Sequence, residues 1–393
     1  MAQDSCGSVP FINRYAQPPP FRAAPLSKYL NSSKGTTSIH GSVINVTSTP
    51  RGNPVRAPDR STLAAPSPHP ASFSFELFPP KTPEGMTKLA ASIDLMNAVG
   101  PEYFSVTYGA GGSTRDSTFE TLNLLLARGI AAAPHLACIG STRAEIRGIL
   151  GRYQGQGIRR LVALRGDLPS GMGLGAAGDF RNANELVAFI RQETGDQFRI
   201  EVAAYPEVHP QAANADQDLA NFKRKVEAGA NGAITQYFYN PDAYFGFIDR
   251  CTARGIHIPI LPGIMPITNF SQLARFSDAC GAEIPRWVRK RLEAMGDDIA
   301  AIRAFGHEVV LGLCRRLLDG GAPGLHFYSM NQAGPVLRLW RDLGRSLGIV
   351  PESRTPSQIR WTAPQSWHGR SEGTDHRGVW QGSTPVCIRR DVP

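Results

Sequence analysis

Residues 72–78 read SFSFELF, a β-prone run in which polar and apolar side chains alternate. Seven more runs of this kind follow: EYFSVTYG (102–109), IAAAPHLAC (130–138), IRRLVALRG (158–166), FRIEVAAYP (198–206), GAITQYFYN (232–240), HIPILPGIMP (257–266) and GLHFYSMN (324–331). The segments between them carry helical patterns. Phe119, Leu122, Leu125 and Leu126 recur on one helical face, and Ser117 with Glu120 and Thr142 with Glu145 have the spacing of a capping box. Strand–helix alternation repeated eight times over about 280 residues predicts a (β/α)8 barrel over residues 71–350. A doubly wound open sheet is the alternative.

Outward from that region the chain changes character. Residues 1–70 are rich in Pro, Ser, Thr, Asn and Arg and show no sustained periodicity, and residues 351–393 repeat that composition around Trp361, Trp367 and Trp380. Neither segment has enough apolar surface to offset its chain entropy, so both are expected to be disordered tails. A basic, Ser-rich leader also suits an organelle transit peptide, although its prolines and Asp4 fit an amphipathic targeting helix poorly.

The 393 residues carry a formal net charge of +9. The leader holds seven Lys/Arg against two Asp/Glu and the tail six against four, which leaves the middle near +2. A nearly neutral middle argues against a nucleic-acid surface. The six cysteines, Cys6, Cys138, Cys251, Cys280, Cys314 and Cys387, form no C-x-x-C pair, so neither a disulfide scaffold nor a Cys-rich zinc site is expected. No apolar run approaches the roughly 20 residues needed to span a bilayer. These features predict a soluble cytoplasmic protein without membrane partners.

In a (β/α)8 barrel the chemistry gathers at the C-terminal ends of the strands. Read in order, those ends are Glu76, Thr107, His135, Arg165-Gly166-Asp167, Tyr205 with Glu207 and His209, Gln236, and His326 with Tyr328. Any one of them also fits the plain start of a loop. Glu76 stands apart because its run, FSFELFPP, is aromatic and apolar. Such surroundings raise a carboxyl pKa and suit a general acid. The glycines of GLGAAG (173–178) match a dinucleotide fingerprint, but they do not follow a strand directly, so the segment reads as a flexible loop. His135, Glu207 and His209 lack metal-ligand spacing, and no metal is expected.

The motifs SFELFPPKT (74–82), SVTYGAGGSTRD (105–116), APHLACIG (133–140), VALRGDLP (162–169), VAAYPEVHPQA (202–212), FKRKVEAGANGAITQYFYN (222–240), LPGIMPITNF (261–270) and HFYSMN (326–331) resemble, in order, those of the methylenetetrahydrofolate reductase family in its compact bacterial form. The resemblance covers about residues 72–349. It implies FAD held noncovalently by Thr107, His135, Arg165, Gly166, Asp167, Asn182, Ala183, Tyr205, His209, Asp218, Asn221, Arg224 and Lys225, with Asp167 tuning the flavin's electron affinity. It also implies NADH or NADPH as reductant, ping-pong hydride transfer, and a homo-oligomer. Glu76 would protonate N10 of 5,10-methylenetetrahydrofolate as its five-membered ring opens. Gln236 would bind both nicotinamide and pterin, with Gln272 and Phe276 lining the shared cleft. One residue departs from the family pattern. Where the family usually has an arginine that contacts the substrate, this chain has Gln332, which lacks the charge and planar fork suited to a carboxylate. A flavin-binding partner protein of the same fold, without reductase activity, is the rival reading.

Overall fold

The computed structural model describes residues 72–108, 115–166 and 178–346. The leader, the tail, Asp167 and most of the GLGAAG segment lie outside them. Every one of the eight β-prone runs contributes to a single parallel sheet. Its strands are β1 (Ser72–Leu77), β2 (Tyr103–Val106), β3 (Ala132–Ala137), β4 (Arg160–Leu164), β5 (Arg199–Ala204), β6 (Gly232–Thr235), β7 (Ile260–Leu261), β8 (Gly263–Ile264) and β9 (Gly324–Tyr328). They are ordered β7-β6-β5-β4-β3-β2-β1-β9-β8.

β7 and β8 together are the one strand expected from HIPILPGIMP. Pro262 divides them because it has no N–H to give to a ladder. The first half pairs with β6 at Ala233–Ile260 and Ile234–Leu261, and the second pairs with β9 at Gly263–His326 and Ile264–Phe327. The Pro262 carbonyl still accepts from His326 N at 3.0 Å. The seventh run therefore joins both ends of the sheet and makes a nearly closed barrel, not an open doubly wound sheet.

Helices alternate with the strands: α1 (Pro83–Asn97), α2 (Arg115–Leu126), α3 (Arg143–Gly155), α4 (Ala183–Thr194), α5 (Ala215–Glu227), α6 (Pro241–Ala253), α9 (Ile299–Asp319) and α10 (Ala333–Ser346). Two shorter ones, α7 (Phe270–Cys280) and α8 (Arg286–Met295), are inserted between β8 and α9. Thr142 and Glu145 form the expected reciprocal cap at the start of α3. Ser117 does not cap α2, which begins at Arg115 and so places Ser117 inside its first turn. Among the described residues no helix is long and apolar enough to cross a membrane.

Strand alternation divides the core in two. Phe73, Phe75 and Leu77 belong to the large cluster between sheet and helices, with Ile93, Phe104, Leu136 and Phe327. A smaller cluster of Tyr103, Ala133, Val162 and Ile234 fills the barrel interior. Below it, at the N-terminal ends of the strands, Arg160 pairs with Glu102 and with Glu201 and lies 4.2 Å over the Tyr103 ring. Glu201 is buried, so this pairing is what makes its charge tolerable inside the barrel.

Candidate active site

Glu76 is the last inward-facing residue of β1 and is only 5 % exposed. Its register partners are Ser105 on β2 and Tyr328 on β9. The aromatic neighbours that single it out in the sequence point to the other side of the strand, so its surroundings are polar, not the apolar pocket expected. His135 Nε2 lies 3.4 Å from Glu76 Oε2, and His326 Nε2 lies 4.0 Å from the same oxygen. Among the described residues neither Nε2 has a hydrogen-bond partner, although both are buried. Burial holds the pKa of His135 below the usual histidine value, against the pull of Glu76 and with a further push from His326. His135 is therefore neutral at pH 7. The Ser74 hydroxyl sits 2.7 Å from His326 Nδ1, and Ser329 Oγ donates to the Glu76 carbonyl at 2.5 Å. Tyr328 donates to the Thr235 carbonyl at 2.8 Å, and burial, then the charge of Glu76, raises its phenol well above the ordinary value. Ser74 was not singled out from the sequence, yet two-residue periodicity puts it on the face of Glu76.

Beside this cluster a cavity of about 410 Å³ opens over the ends of β4 and β5. Ten of the thirteen expected flavin residues line it: Arg165, Gly166, Asn182, Ala183, Tyr205, His209, Asp218, Asn221, Arg224 and Lys225. Of the other three, Thr107 directly follows β2 and donates its N–H to Leu77 O, His135 faces Glu76, and Asp167 lies outside the described residues. Gly166 has φ +83°, and a Cβ there would stand 2.9 Å from Ala137 Cβ, so glycine is required twice over. Gly178 is equally constrained, since a Cβ would lie 2.2 Å from the Ser141 carbonyl oxygen.

The polar groups of the cavity hold one another in place. Asp218 accepts the His209 N–H at 2.9 Å, the His209 ring accepts from Gln211 N at 3.0 Å, and Arg165 donates to Gln211 Oε1 at 2.6 Å. Tyr205 meets His209 edge to face at 4.5 Å. Lys225 donates to the Ala203 carbonyl on β5. The residue as a whole is half-buried, but its ammonium end is enclosed by protein, and this desolvation lowers its pKa to about 8 despite Asp218.

The expected substrate residues do not all come together. Gln236 follows β6 and shares a small recess with Tyr205, Tyr237 and Cys280, which sets it beside the cavity over β4 and β5. Gln272 and Phe276 lie on α7, whose Ser277 is 3.2 Å from the Tyr237 hydroxyl. Phe276 is 39 % exposed, a large apolar side chain open to solvent at the barrel mouth. Gln332 lies elsewhere, on the wall of a second cavity with Arg303, His307 and Arg338. Glu207, between Tyr205 and His209, accepts from Glu283 N at 2.8 Å and so ties the loop after β5 to the one after α7. Burial lifts its pKa to about 7.

The model of one protein family, methylenetetrahydrofolate reductase, matches residues 63–344. The 5,10-methylenetetrahydrofolate reductases of Salmonella typhimurium and Escherichia coli are each 42 % identical over 279 residues, 71 % of this chain and 92 % of theirs. The chain belongs to the methylenetetrahydrofolate reductase family. As a member it is an oxidoreductase of one-carbon metabolism that reduces 5,10-methylenetetrahydrofolate to 5-methyltetrahydrofolate with a reduced nicotinamide nucleotide. A rice relative, 38 % identical over 304 residues and about twice as long as the part matched, is described as a probable methylenetetrahydrofolate reductase (NADH). Among solved structures, a Clostridium thermocellum protein described as binding two copies of 5-methyl-5,6,7,8-tetrahydrofolic acid shares the fold, with a TM-score of 0.51 at 16 % identity over 70 % of this chain and 95 % of that one.

Proposed function

We propose that the reduction runs through FAD held noncovalently in the cavity over β4 and β5, with NADH as the reductant and Glu76 as the acid that protonates the folate. The observation that carries this reading is the convergence of ten flavin residues, drawn from four separate segments of the chain, on one cavity. Its chemistry suits the group. Arg224 and the Lys225 ammonium offer cationic donors for a pyrophosphate, Gly166 lets the backbone approach closely, and Tyr205 gives an aromatic edge. Bound there, FAD supplies the hydride relay between nicotinamide and folate.

The residues of the chain do the rest. Glu76, at the barrel mouth, would give a proton to N10 of the folate, and His135 and His326 flank its carboxyl group at 3.4 and 4.0 Å. His135 is neutral, so it leaves no fixed positive charge against the acid. Tyr328, held to Thr235, and Ser329, held to Glu76, fix the strand ends on either side. Gln236 contributes an amide that can both donate and accept, as a ligand shared by nicotinamide and pterin requires. Asp167 completes the reading as the carboxylate that tunes the flavin.

Purified protein should show a flavin absorbance, release FAD on acid treatment, be bleached anaerobically by NADH faster than by NADPH, and recover its colour with 5,10-methylenetetrahydrofolate. An active but colourless enzyme would refute it. Bleaching without recovery would favour the rival, a flavin-binding partner protein.

A further inference from the structure

Inside the barrel, Ser74, Tyr103 and His326 form one layer, because Ser74 is the register partner of both of the others. Glu76 lies two residues further along β1, in the layer above. We infer that Tyr103 is a positioning residue for the reaction, its hydroxyl acting through Ser74 and His326 to keep Glu76 ready to give up its proton. The inference rests on the reading of Glu76 as the acid and adds to it a residue from beneath the site.

The layer is sealed and closely held. Ser74 and His326 are fully buried and Tyr103 is 1 % exposed. The Ser74 hydroxyl stands 2.7 Å from His326 Nδ1. The Tyr103 ring stacks on the imidazole with centroids 6.3 Å apart, and Tyr328 meets its other side edge to face at 5.4 Å, so His326 is clamped between two phenols. Arg160 fixes Tyr103 in turn. Its guanidinium lies 4.2 Å over the phenol ring and is itself held by Glu102 and Glu201. The Tyr103 hydroxyl is buried without a fully aligned hydrogen bond among the described residues, and Ser74 is the side chain near enough to act on it as a partner. Burial, then the charge of Glu201, pushes the phenol up to about 12, so the oxygen keeps its hydrogen at neutral pH and has it to offer.

Hydrogen counting does the rest. Ser74 has a single hydroxyl hydrogen. Once its oxygen accepts from Tyr103, its own hydrogen turns to His326 Nδ1, and the one ring proton of a neutral imidazole then sits on Nε2. That nitrogen is 4.0 Å from Glu76 Oε2 and has no other partner among the described residues. An N–H aimed at a carboxylate favours its ionised form, which makes the protonated acid easier to discharge. Without the Tyr103 hydroxyl, Ser74 is free to accept from Nδ1. Nε2 then turns a lone pair on Glu76, and the carboxyl group keeps its proton. His135 on β3, 3.4 Å away, and Tyr328 on β9, bonded to the Thr235 carbonyl, are the other titratable groups that face Glu76 among the described residues.

The flavin-loaded full-length chain is compared by rapid mixing with Tyr103→Phe, which keeps the ring under Arg160 and against His326. Reoxidation by 5,10-methylenetetrahydrofolate slows with rising pH as Glu76 loses its proton, and the midpoint of that fall should move up by about one pH unit in the variant, the scale of losing one hydrogen bond to the ionised form. Flavin reduction by NADH should keep its rate and its pH profile. Ser74→Ala should shift the midpoint by itself, and in that background Tyr103→Phe should move it no further. A second readout needs no turnover. Nitrogen NMR of histidine-labelled protein, with the His326 signals assigned by their loss in His326→Gln, should show the Nε2–H tautomer in the wild type and the Nδ1–H tautomer in Tyr103→Phe. An unmoved midpoint, the Nδ1–H tautomer in the wild type, or the same shift with and without Ser74 overturns the inference. So does equal slowing of both half-reactions, which would mark a structural role. Reoxidation of Glu76→Gln at the wild-type rate would instead overturn the reading of Glu76, and the inference with it.

Discussion

If Lys225 meets the flavin phosphates as proposed, FAD binding should be sensitive to alkaline pH. Its ammonium is enclosed at the end of α5, donates to Ala203 O, and has its pKa lowered from 10.5 to about 8 by desolvation. A flavin pyrophosphate beside it would favour the charged form and return the pKa toward the ordinary value. Binding therefore takes up a proton whenever the empty site has lost one. At pH 7 about nine-tenths of the empty sites are protonated and at pH 9 about one-tenth, so FAD affinity should fall about tenfold, or about 1.4 kcal/mol, across that interval. At pH 8 binding should take up about half a proton per site. The apoprotein should show the complementary effect. The native state binds fewer protons than the unfolded chain between pH 8 and 10.5, so stability rises with pH over that window. The assay is recovery of FAD fluorescence on dissociation, titrated at pH 7, 8 and 9, with calorimetry in two buffers of different ionisation enthalpy to count protons. Lys225→Arg keeps the charge at every pH and should abolish the slope. A flat affinity from pH 7 to 9 in the wild-type protein, or an undiminished slope in the arginine variant, would refute the assignment of Lys225 to the phosphates.

Other outcomes follow from the same geometry. Glu76→Gln keeps the shape of the side chain but cannot act as an acid, so reoxidation by methylenetetrahydrofolate should slow by roughly 10² or more while reduction by NADH is unchanged. Equal slowing of both steps in a stable, FAD-replete variant would count against the role. Gly166→Ala forces a side chain into φ +83° and against Ala137, so the protein should lose bound FAD and about 1–2 kcal/mol of stability or more, read from flavin content and urea midpoints. Glu207, with its pKa raised from 4.5 to about 7, binds its proton more tightly in the native state. Its contribution is full below pH 4.5 and is lost as pH rises through 7, and Glu207→Gln should flatten that slope in urea melts at pH 5 and 8.

The fold was legible because its signals are local. Alternation in SFSFELF, and the Thr142–Glu145 cap, report on residues that touch their own chain neighbours. The same locality explains the errors. Ser117 and Glu120 have the spacing of a cap, but that spacing also occurs inside helices, and α2 starts two residues earlier. GAITQYFYN ends its strand at Thr235, because β6 runs out of ladder partners before the β-prone composition ends.

The order of the motifs and the type of residue at each strand end were settled by the sequence alone, since each short run carries its own pattern and the resemblance is read along the chain. Tertiary structure alone decided what each of those residues faces. Phe75 and Leu77 are the chain neighbours of Glu76, but strand alternation turns them outward and gives the carboxylate His135 and His326 instead, from 59 and 250 residues away. Gln332 reads as one more cleft residue, yet the packing of α9 against α10 sets it in a separate cavity with Arg303 and Arg338. No short-range pattern encodes such neighbours, because closing the barrel at Pro262 is what brings distant strand ends onto one rim.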